Sequence, residues 1–156
     1  MQPSELLDSN SISVSNAASS KKRVLEEAAA LLSSTIPGIE QEVVYERLLE
    51  RERLGSTGVG HGVALPHARI DGLQRAHGAF LQLADGVDYD AIDDAAVDLV
   101  FALVVPLEAT EQHLRLLAQL AAIFSDESLC MRLRQGQSEQ DILAIISHPA
   151  EALPDA

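Results

Sequence analysis

The sequence predicts an α/β fold, a single-domain sandwich in which a mixed central sheet of about four to five strands is flanked by helices on both faces. Short apolar runs alternate along the chain with longer stretches of helical periodicity, which is the pattern of such a fold. Residues 97–105 are apolar except for Asp98, as in a strand with both faces of its sheet covered. The 156 residues fit one domain over residues 1–156, with residues 1–10 and 148–156 expected to be flexible ends.

A strand and two helices are predicted first. Residues 11–15 alternate polar and apolar side chains, as a short strand at a sheet edge does. Ser19 or Ser20 can cap a helix that runs to about residue 34, and a second helix is expected over residues 40–53. Four side chains of the second helix are predicted to face inward: Val43, Val44, Leu48 and Leu49.

The middle of the chain predicts a loop and three strands. Residues 55–62 contain four glycines and show no alternating pattern, so a loop is expected there. A short buried strand over residues 63–65 is expected to stop at Pro66. Residues 79–83 and 97–105 form the other two predicted strands.

Three further helices are predicted after the last strand. Thr110 is expected to cap the first, which ends near residue 124. Asp126 opens the second, and Ser138 caps the third, which ends near residue 146. The first of these helices has four apolar residues predicted to face inward: Leu114, Leu117, Ala121 and Phe124.

The composition argues against several classes of function. Lys and Arg total 11 against 24 Asp and Glu, and the formal net charge of −13 repels nucleic-acid phosphates and anionic lipids. No apolar run reaches the ~20 residues of a membrane-spanning helix, and the polar, Ser-rich N-terminus lacks a signal-peptide pattern. We therefore expect a cytoplasmic protein with no nucleic-acid partner and no membrane insertion. Its acidic surface suits a protein partner with a basic face.

Common metal and nucleotide motifs are missing from the sequence. The five histidines, at 61, 67, 77, 113 and 148, lack the close spacing of metal ligands. Cys130 is the only cysteine, and its apolar helical surroundings predict a buried structural thiol. The glycines precede no Gly-Lys-Ser/Thr, as a Walker loop requires, and they do not link a strand to a helix, as a Rossmann fingerprint does. We therefore expect neither a metal nor a cofactor.

His67 is the histidine best placed for chemistry. It follows the predicted strand over residues 63–65, where strand ends commonly present catalytic groups. Pro66 has a fixed φ and stiffens the approach to the imidazole. An imidazole with a pKa near ~6.5 is largely neutral at neutral pH and has a lone pair for attack on phosphorus. His67 is therefore a candidate nucleophile for phosphoryl transfer.

Phosphoryl transfer also needs amide donors and a cation near the nucleophile. The glycine-rich loop could turn its backbone amides toward an anion, and its hydroxyl groups could add donors. The predicted phosphate-binding residues are Ser56, Thr57, Gly58 and Gly60. Arg51, at the end of the preceding helix, is the candidate cation, and Arg53 is its less favoured neighbour.

The other histidines differ in what they can do. His113, in the first turn of a predicted helix, is either an ordinary helix-end residue or a second imidazole that contacts the phosphoryl oxygens. His61 lies in the glycine-rich loop and is a flanking candidate. His77 and His148 are assigned surface or packing roles.

The segment from Glu52 through Ala68 resembles the type-2 (fructose/mannitol/nitrogen) enzyme IIA domains of the bacterial phosphoenolpyruvate-dependent phosphotransferase system. The pattern is carried by Val59-Gly60 and by Val63-Ala64-Leu65-Pro66-His67-Ala68. The resemblance extends over nearly the whole chain, through these further segments: Ser20-Lys21-Lys22-Arg23, Arg51 to Gly58, Ala91-Ile92-Asp93, Val97-Asp98-Leu99, Phe101-Ala102-Leu103 and Thr110 to Leu117. In stand-alone length the chain is most similar to the nitrogen-related branch.

The resemblance implies a role for each candidate. It implies that His67 is phosphorylated, that Arg51 is the active-site arginine and that His113 is the second histidine of the site. It implies an HPr-like, histidine-phosphorylated carrier protein as the donor, and regulatory protein partners downstream. His61 is a departure, because Asn is expected there in many relatives, and its imidazole could perturb the titration of His67.

Three functions remain open from the sequence. The first is a regulatory phosphocarrier. The second is a sugar-transport enzyme IIA subunit that passes phosphate to a IIB component, which would require a matching permease. The third is a binding module that keeps the fold and transfers nothing.

Overall fold

A computed structural model describes residues 2–148 as a mixed sheet with helices on both of its faces. The strands are β1 (Ile12–Asn16), β2 (Gly58–Gly60), β3 (Val63–Ala64), β4 (His67–Ile70), β5 (His77–Val87) and β6 (Val97–Pro106). The helices are α1 (Lys21–Thr35), α2 (Gln41–Arg53), α3 (Thr110–Phe124), α4 (Glu127–Gln135) and α5 (Glu139–Ser147). The predicted α/β sandwich is confirmed.

The sheet has six strands in the order β1-β5-β6-β3-β2, and β4 also pairs with β6. Strand β1 is parallel to β5 and β5 is antiparallel to β6, while β3 and β4 both run parallel to β6. The register places Val63 opposite Leu99 and His67 opposite Leu103. Strands β3 and β4 are therefore two pieces of one path along β6, interrupted at Leu65 and Pro66.

The strand count exceeds the prediction because β2, in the glycine-rich segment, and β4, after Pro66, are strands that were not expected. Residues 58–60 were expected in a loop, but they pair antiparallel with β3. His67 was expected at the end of a strand, and it instead begins β4 after Pro66. Strand β5 is also longer than the predicted residues 79–83.

Two apolar cores lie on opposite faces of the sheet. Helices α1 and α2 cover one face with residues such as Leu25, Leu32 and Leu48. Helices α3, α4 and α5 cover the other with residues that include Leu120 and Leu133. Every residue of β6 except Asp98 is buried, as predicted for a strand covered on both faces.

Three predictions of helix detail are wrong. Helix α3 buries Leu116, Leu120 and Phe124, whereas Leu114 is 63% exposed and Ala121 is also exposed. Ala109 rather than Thr110 precedes the first helical residue, and no side chain caps that end. In α2, Val44 and Leu48 are buried as expected, but Val43 is exposed.

The N-terminal residues are ordered against the second core. Pro3–Leu6 and Ser9–Ser11 form short 3-10 helices, and Leu6 and Leu7 are buried. Residues 2–10, predicted to be part of a flexible end, therefore pack against the fold, because their apolar side chains cover the α5 side of the sheet. Residues 149–156 of the other predicted flexible end lie outside the described residues. Among the helices of the described residues, none has the length and hydropathy needed to span a bilayer.

Candidate functional site

A cleft of about 550 Å³ lies where the last turn of α2, the start of β4 and the first turn of α3 meet. Helix α2 contributes Arg51, strand β4 contributes His67 and helix α3 contributes His113. The structure thus brings together the three residues that the sequence predicted for catalysis. The other residues of the cleft are Arg47, Glu50, Leu54, Ala68, Arg69, Asp71 and Leu107.

The ring of His67 is held at both nitrogens. Its Nδ1 lies 2.8 Å from the carbonyl oxygen of Leu65, and its Nε2 lies 3.2 Å from Nε of Arg51. A carbonyl only accepts and a guanidinium only donates, so Nδ1 carries the proton and Nε2 has the lone pair. The imidazole is therefore neutral, with its unprotonated nitrogen turned toward Arg51.

The backbone on either side of Pro66 fixes this ring. The amide of Leu65 donates to the carbonyl of Thr57 at 2.9 Å, and the amide of Leu103 in β6 donates to the carbonyl of Pro66 at 2.9 Å. Pro66 itself has a fixed φ and no donor. The carbonyl of Leu65 is therefore held rigidly, and so is the tautomer that it selects.

Arg51 is oriented by the end of its own helix. Its Nη1 donates to the carbonyl of Gly55 at 2.9 Å, which leaves Nε directed at His67. Gly55 lies two residues beyond the end of α2, so this bond holds the chain where it leaves the helix. The guanidinium therefore holds the exit of α2 and faces His67 with the same side chain.

Burial keeps both imidazoles of the cleft neutral. Desolvation lowers the pKa of His67, the bond to Leu65 acts in the opposite direction, and the charge of Arg51 lowers it further. The pKa of His113 falls to about 4, first through desolvation and then through electrostatic contributions of His67, Arg69 and Arg51. Both rings are thus neutral at neutral pH.

His113 stands edge-on to His67, with ring centroids 5.1 Å apart and an interplanar angle of 69°. Its Nε2 is buried and has no hydrogen-bond partner among the described residues. A buried polar atom without a partner is costly unless a ligand supplies one. A phosphoryl oxygen on His67 is a group that this nitrogen could contact.

Two more arginines of the cleft were missed by the sequence analysis. Arg47 lies one turn before Arg51 and pairs with Glu50 at 2.6 Å. Arg69 lies two residues after His67 on β4, and its Nη1 donates to Oγ1 of Thr110 at 3.1 Å. The spacings i, i+4 on a helix and i, i+2 on a strand are the signals that could have found them.

The predicted phosphate-binding hydroxyls are engaged elsewhere and do not line the cleft. Thr57 is buried, and its amide and Oγ1 donate to the carboxylate of Glu52 at 2.8 and 2.6 Å. The hydroxyl of Ser56 donates to the carbonyl of Tyr89 and accepts from the amide of Gly58. These groups fold the segment rather than face the cleft.

The two glycines of β2 permit close packing rather than anion binding. A Cβ on Gly58 would lie 2.8 Å from Cβ of Ala91, and one on Gly60 would lie 3.4 Å from a carboxylate oxygen of Asp93. The amide of Ile92 donates to the carbonyl of Gly58 at 3.3 Å. The turn at residues 91–93 therefore covers β2, which explains why this strand is rich in glycine.

Glu52 is a buried carboxylate that the sequence analysis did not single out. It accepts from Thr57 and from Nζ of Lys21 at 2.9 Å, and Tyr89 Oη lies 3.4 Å away. The charge of Glu52 raises the pKa of His67, against the effects of burial and of Arg51. The spacing of Glu52 four residues after Leu48 continues the buried face of α2, and this is the signal that could have found it.

The remaining histidines lie outside the cleft. His61 has a positive φ of 57° in the turn between β2 and β3, and its carbonyl accepts from Arg134. His61 is not among the groups that shift the pKa of His67. His77 begins β5, and His148 follows α5. Cys130 is buried and donates to the carbonyl of Phe124 at 3.3 Å.

Within residues 2–148, no group of three or more His, Cys, Asp or Glu side chains is arranged to hold a metal ion.

Comparison with known proteins gives one consistent family. The family described as "Phosphoenolpyruvate-dependent sugar phosphotransferase system, EIIA 2" matches residues 5–148. A protein of Pseudomonas aeruginosa named nitrogen regulatory protein is 45% identical over 127 residues, which is 81% of this chain and 82% of the relative. A protein of Escherichia coli with the same name is 42% identical over 137 residues, 87% of this chain and 83% of the relative.

The fold comparison agrees with the sequence comparison. The crystal structure of the nitrogen regulatory protein IIA-Ntr from Neisseria meningitidis superposes with a TM-score of 0.86 at 40% identity. It covers 92% of this chain and 97% of the other.

Proposed function

The chain belongs to the phosphoenolpyruvate-dependent sugar phosphotransferase system EIIA 2 family, and we propose that it carries a phosphoryl group on His67 with a mainly regulatory output. The donor is an HPr-like carrier protein that is itself phosphorylated on histidine. The similarity to nitrogen regulatory proteins supports a role in nitrogen-related regulation. A component of this phosphotransferase family need not turn over a metabolite, and here the phosphorylated state itself is the signal.

One observation supports the proposal most directly. Nε2 of His67 is unprotonated and keeps its lone pair, because the proton is held at Nδ1 by the carbonyl of Leu65. The same nitrogen lies 3.2 Å from a guanidinium that could shift onto a phosphoryl oxygen. Nucleophile and charge-neutralising group are therefore adjacent before any phosphate arrives, as phosphoryl transfer requires.

The transfer step exchanges one phosphorus–nitrogen bond for another. Nε2 of His67 attacks phosphorus while the bond to the donor's imidazole breaks, and the donor ring leaves with that electron pair. Nδ1 of His67 keeps its proton against Leu65, so the phosphorylated ring is cationic and its bond to phosphorus stays labile. The group can therefore be passed on or returned.

Arg51 and His113 act on the phosphoryl oxygens in this scheme. Nε of Arg51 moves from Nε2 to an equatorial oxygen as negative charge arrives at that position. The neutral ring of His113 has one N–H and can donate it to a second oxygen. The regulatory partners, of unknown identity, would then distinguish a cleft that holds a phosphoryl group from one that does not.

Incubation with phosphoenolpyruvate and the upstream carrier proteins tests the proposal. The wild type should gain one acid-labile phosphate per chain, and His67→Ala should gain none. Arg51→Ala should fold normally and accept phosphate ~100-fold more slowly, because one transition-state charge contact is lost.

Two control variants make this experiment specific. His61→Asn removes an exposed histidine outside the cleft and suits the positive φ at that position, so it should accept phosphate as the wild type does. Arg53→Ala removes an exposed charge from the same helix turn as Arg51. Phosphate on His67→Ala, or equal rates for Arg51→Ala and Arg53→Ala, would contradict the proposal.

The regulatory output requires a second measurement. Protein partners captured by the wild type should change when His67 is phosphorylated, and His67→Asp should imitate part of that change. Identical partners in all states would remove the regulatory part and leave the carrier function standing.

A further inference from the structure

Two guanidinium groups of the cleft have no carboxylate partner within the described residues. Arg47 pairs with Glu50, so its charge is largely offset. Arg51 contacts a neutral imidazole and a backbone carbonyl, and Arg69 contacts a hydroxyl. In a chain with a net charge of −13, a cleft that holds three arginines against the two carboxylates of Glu50 and Asp71 indicates that an anion belongs there.

Arg69 is positioned by the strand that carries the nucleophile. Successive side chains of a strand point to opposite faces, so His67 and Arg69 share a face while Ala68 and Ile70 are buried on the other. Arg69 is exposed and lies near enough to His113 for its charge to lower the pKa of that ring. The three side chains therefore surround one volume of the cleft.

The bond between Arg69 and Thr110 can be exchanged for a stronger one. Thr110 is neutral and exposed, and a hydrogen bond of this kind contributes little net free energy. A bond from the same guanidinium to a phosphoryl oxygen joins two opposite charges and can be bidentate. A phosphoryl group on His67 would therefore compete with Thr110 for this guanidinium.

We propose that Arg69 is a second cation for the phosphoryl group on His67 and that it leaves the hydroxyl of Thr110 to bind that group. The inference rests on the proposed function and deepens it. Thr110 begins α3, and exposed Leu107 and Leu114 lie three and four residues from it. Loss of the bond changes the first turn of α3. Phosphorylation of His67 therefore alters an exposed surface.

Phosphoramidate tests this step without any carrier protein. Nε2 of His67 forms a bond to phosphorus, the phosphorus–nitrogen bond of the reagent breaks, and ammonia leaves after taking a proton from solvent. The pseudo-first-order rate on the full chain should fall about five- to tenfold in Arg69→Gln. Arg75→Gln removes an exposed arginine outside the cleft and should keep the wild-type rate.

Thr110→Val gives the result that separates a phosphoryl contact from a structural one. This variant frees Arg69 without removing it, so phosphorylation should proceed at the wild-type rate or faster. In the wild type, NMR signals of the Arg69 side chain and the Thr110 amide should shift on phosphorylation, and Thr110 should not respond in Arg69→Gln.

The outcomes test the role of Arg69 separately from the proposed carrier function. Equal rates in Arg69→Gln and Arg75→Gln would overturn it, as would a Thr110→Val variant slowed like Arg69→Gln. Failure of phosphoramidate to modify His67 would overturn it as well. Failure of carrier-dependent transfer alone would count against the proposed function and leave the phosphoramidate result valid.

Discussion

At the scale of single residues, the site depends on two neutral imidazoles and the charges beside them. A proton fixed on Nδ1 leaves Nε2 of His67 unprotonated, and His113 brings a buried nitrogen that no described residue satisfies. Arg51 adjoins His67 and helps to keep both rings neutral through its charge. The neutrality of the rings is lost if an imidazole takes up a second proton.

The lowered pKa of His113 predicts a pH-dependent stability. The unfolded chain binds a proton at this residue near pH 6.5, whereas the folded chain does so only near pH 4. The unfolded state therefore holds more protons in this window, and the free energy of unfolding falls as pH drops from 6.5 to 4. His113→Gln removes this part of the dependence.

We expect the variant to lose less stability than the wild type on acidification. The difference should be on the order of 1 kcal/mol after allowing for solvent screening of the partly exposed ring. Urea unfolding followed by circular dichroism is the suitable measurement, because the chain contains no Trp. His61→Asn removes one histidine outside the cleft and serves as the control. Parallel pH dependences for the wild type and His113→Gln would show that His113 is protonated equally in both states.

The candidate residues differ in how far the sequence could predict them. The segment Val63 to Ala68 singled out His67, and the family resemblance supplied the roles of Arg51 and His113. Arg69 and Glu52 do stand in local patterns, two residues after His67 on a strand and four residues after Leu48 on a helix. Their partners Thr110 and Lys21 lie 41 and 31 positions away in the chain, so the contacts that assign them a role follow from the tertiary arrangement.

At the scale of elements, the glycine-rich segment shows most clearly how a tertiary contact explains a local composition. Its glycines indicated an anion-binding loop, but β2 lies beneath the turn at residues 91–93. The same holds for α3, whose many apolar residues fit two helical faces. The inward face is the one with Leu116 and Leu120, because the sheet and α4 determine which side is covered.

Gly58→Ala distinguishes packing from phosphate binding. The added Cβ would lie 2.8 Å from Cβ and 2.9 Å from Cα of Ala91, so the strand and the turn must separate. We expect a loss of about 1–3 kcal/mol in the free energy of unfolding. The level of phosphate on His67 should remain that of the wild type at a temperature where the variant is folded.

The double variant Gly58→Ala with Ala91→Gly is the matched test, because it removes the methyl group that the new Cβ meets. It should recover part of the lost stability, and a double-mutant cycle gives the coupling. Unchanged stability together with a large drop in phosphate acceptance would restore the anion-binding role of Gly58.

At the scale of the whole molecule, the charge distribution separates the cleft from its surroundings. The chain has a net charge of −13, yet the cleft holds three arginines and two carboxylates, Glu50 and Asp71. A phosphoryl dianion is attracted by the arginines of the cleft, while the net negative charge of the chain favours a donor with a basic docking face. The two attractions act together on a carrier that presents its phosphohistidine within a basic face.

This arrangement predicts that ionic strength changes the rate at which donor and acceptor associate and leaves the rate of the transfer step unchanged. Raising NaCl from about 20 to about 200 mM shortens the screening length from roughly 20 to roughly 7 Å, so kcat/KM for transfer from the HPr-like donor should fall several-fold. The maximal single-turnover rate at saturating donor should change little, because the reacting groups are already in contact.

Asp71→Asn removes one acidic charge at the cleft and should flatten the salt dependence, whereas Glu139→Gln, on distant α5, should not. A kcat/KM that stays constant or rises with salt would mean that the donor meets this surface without a complementary charge.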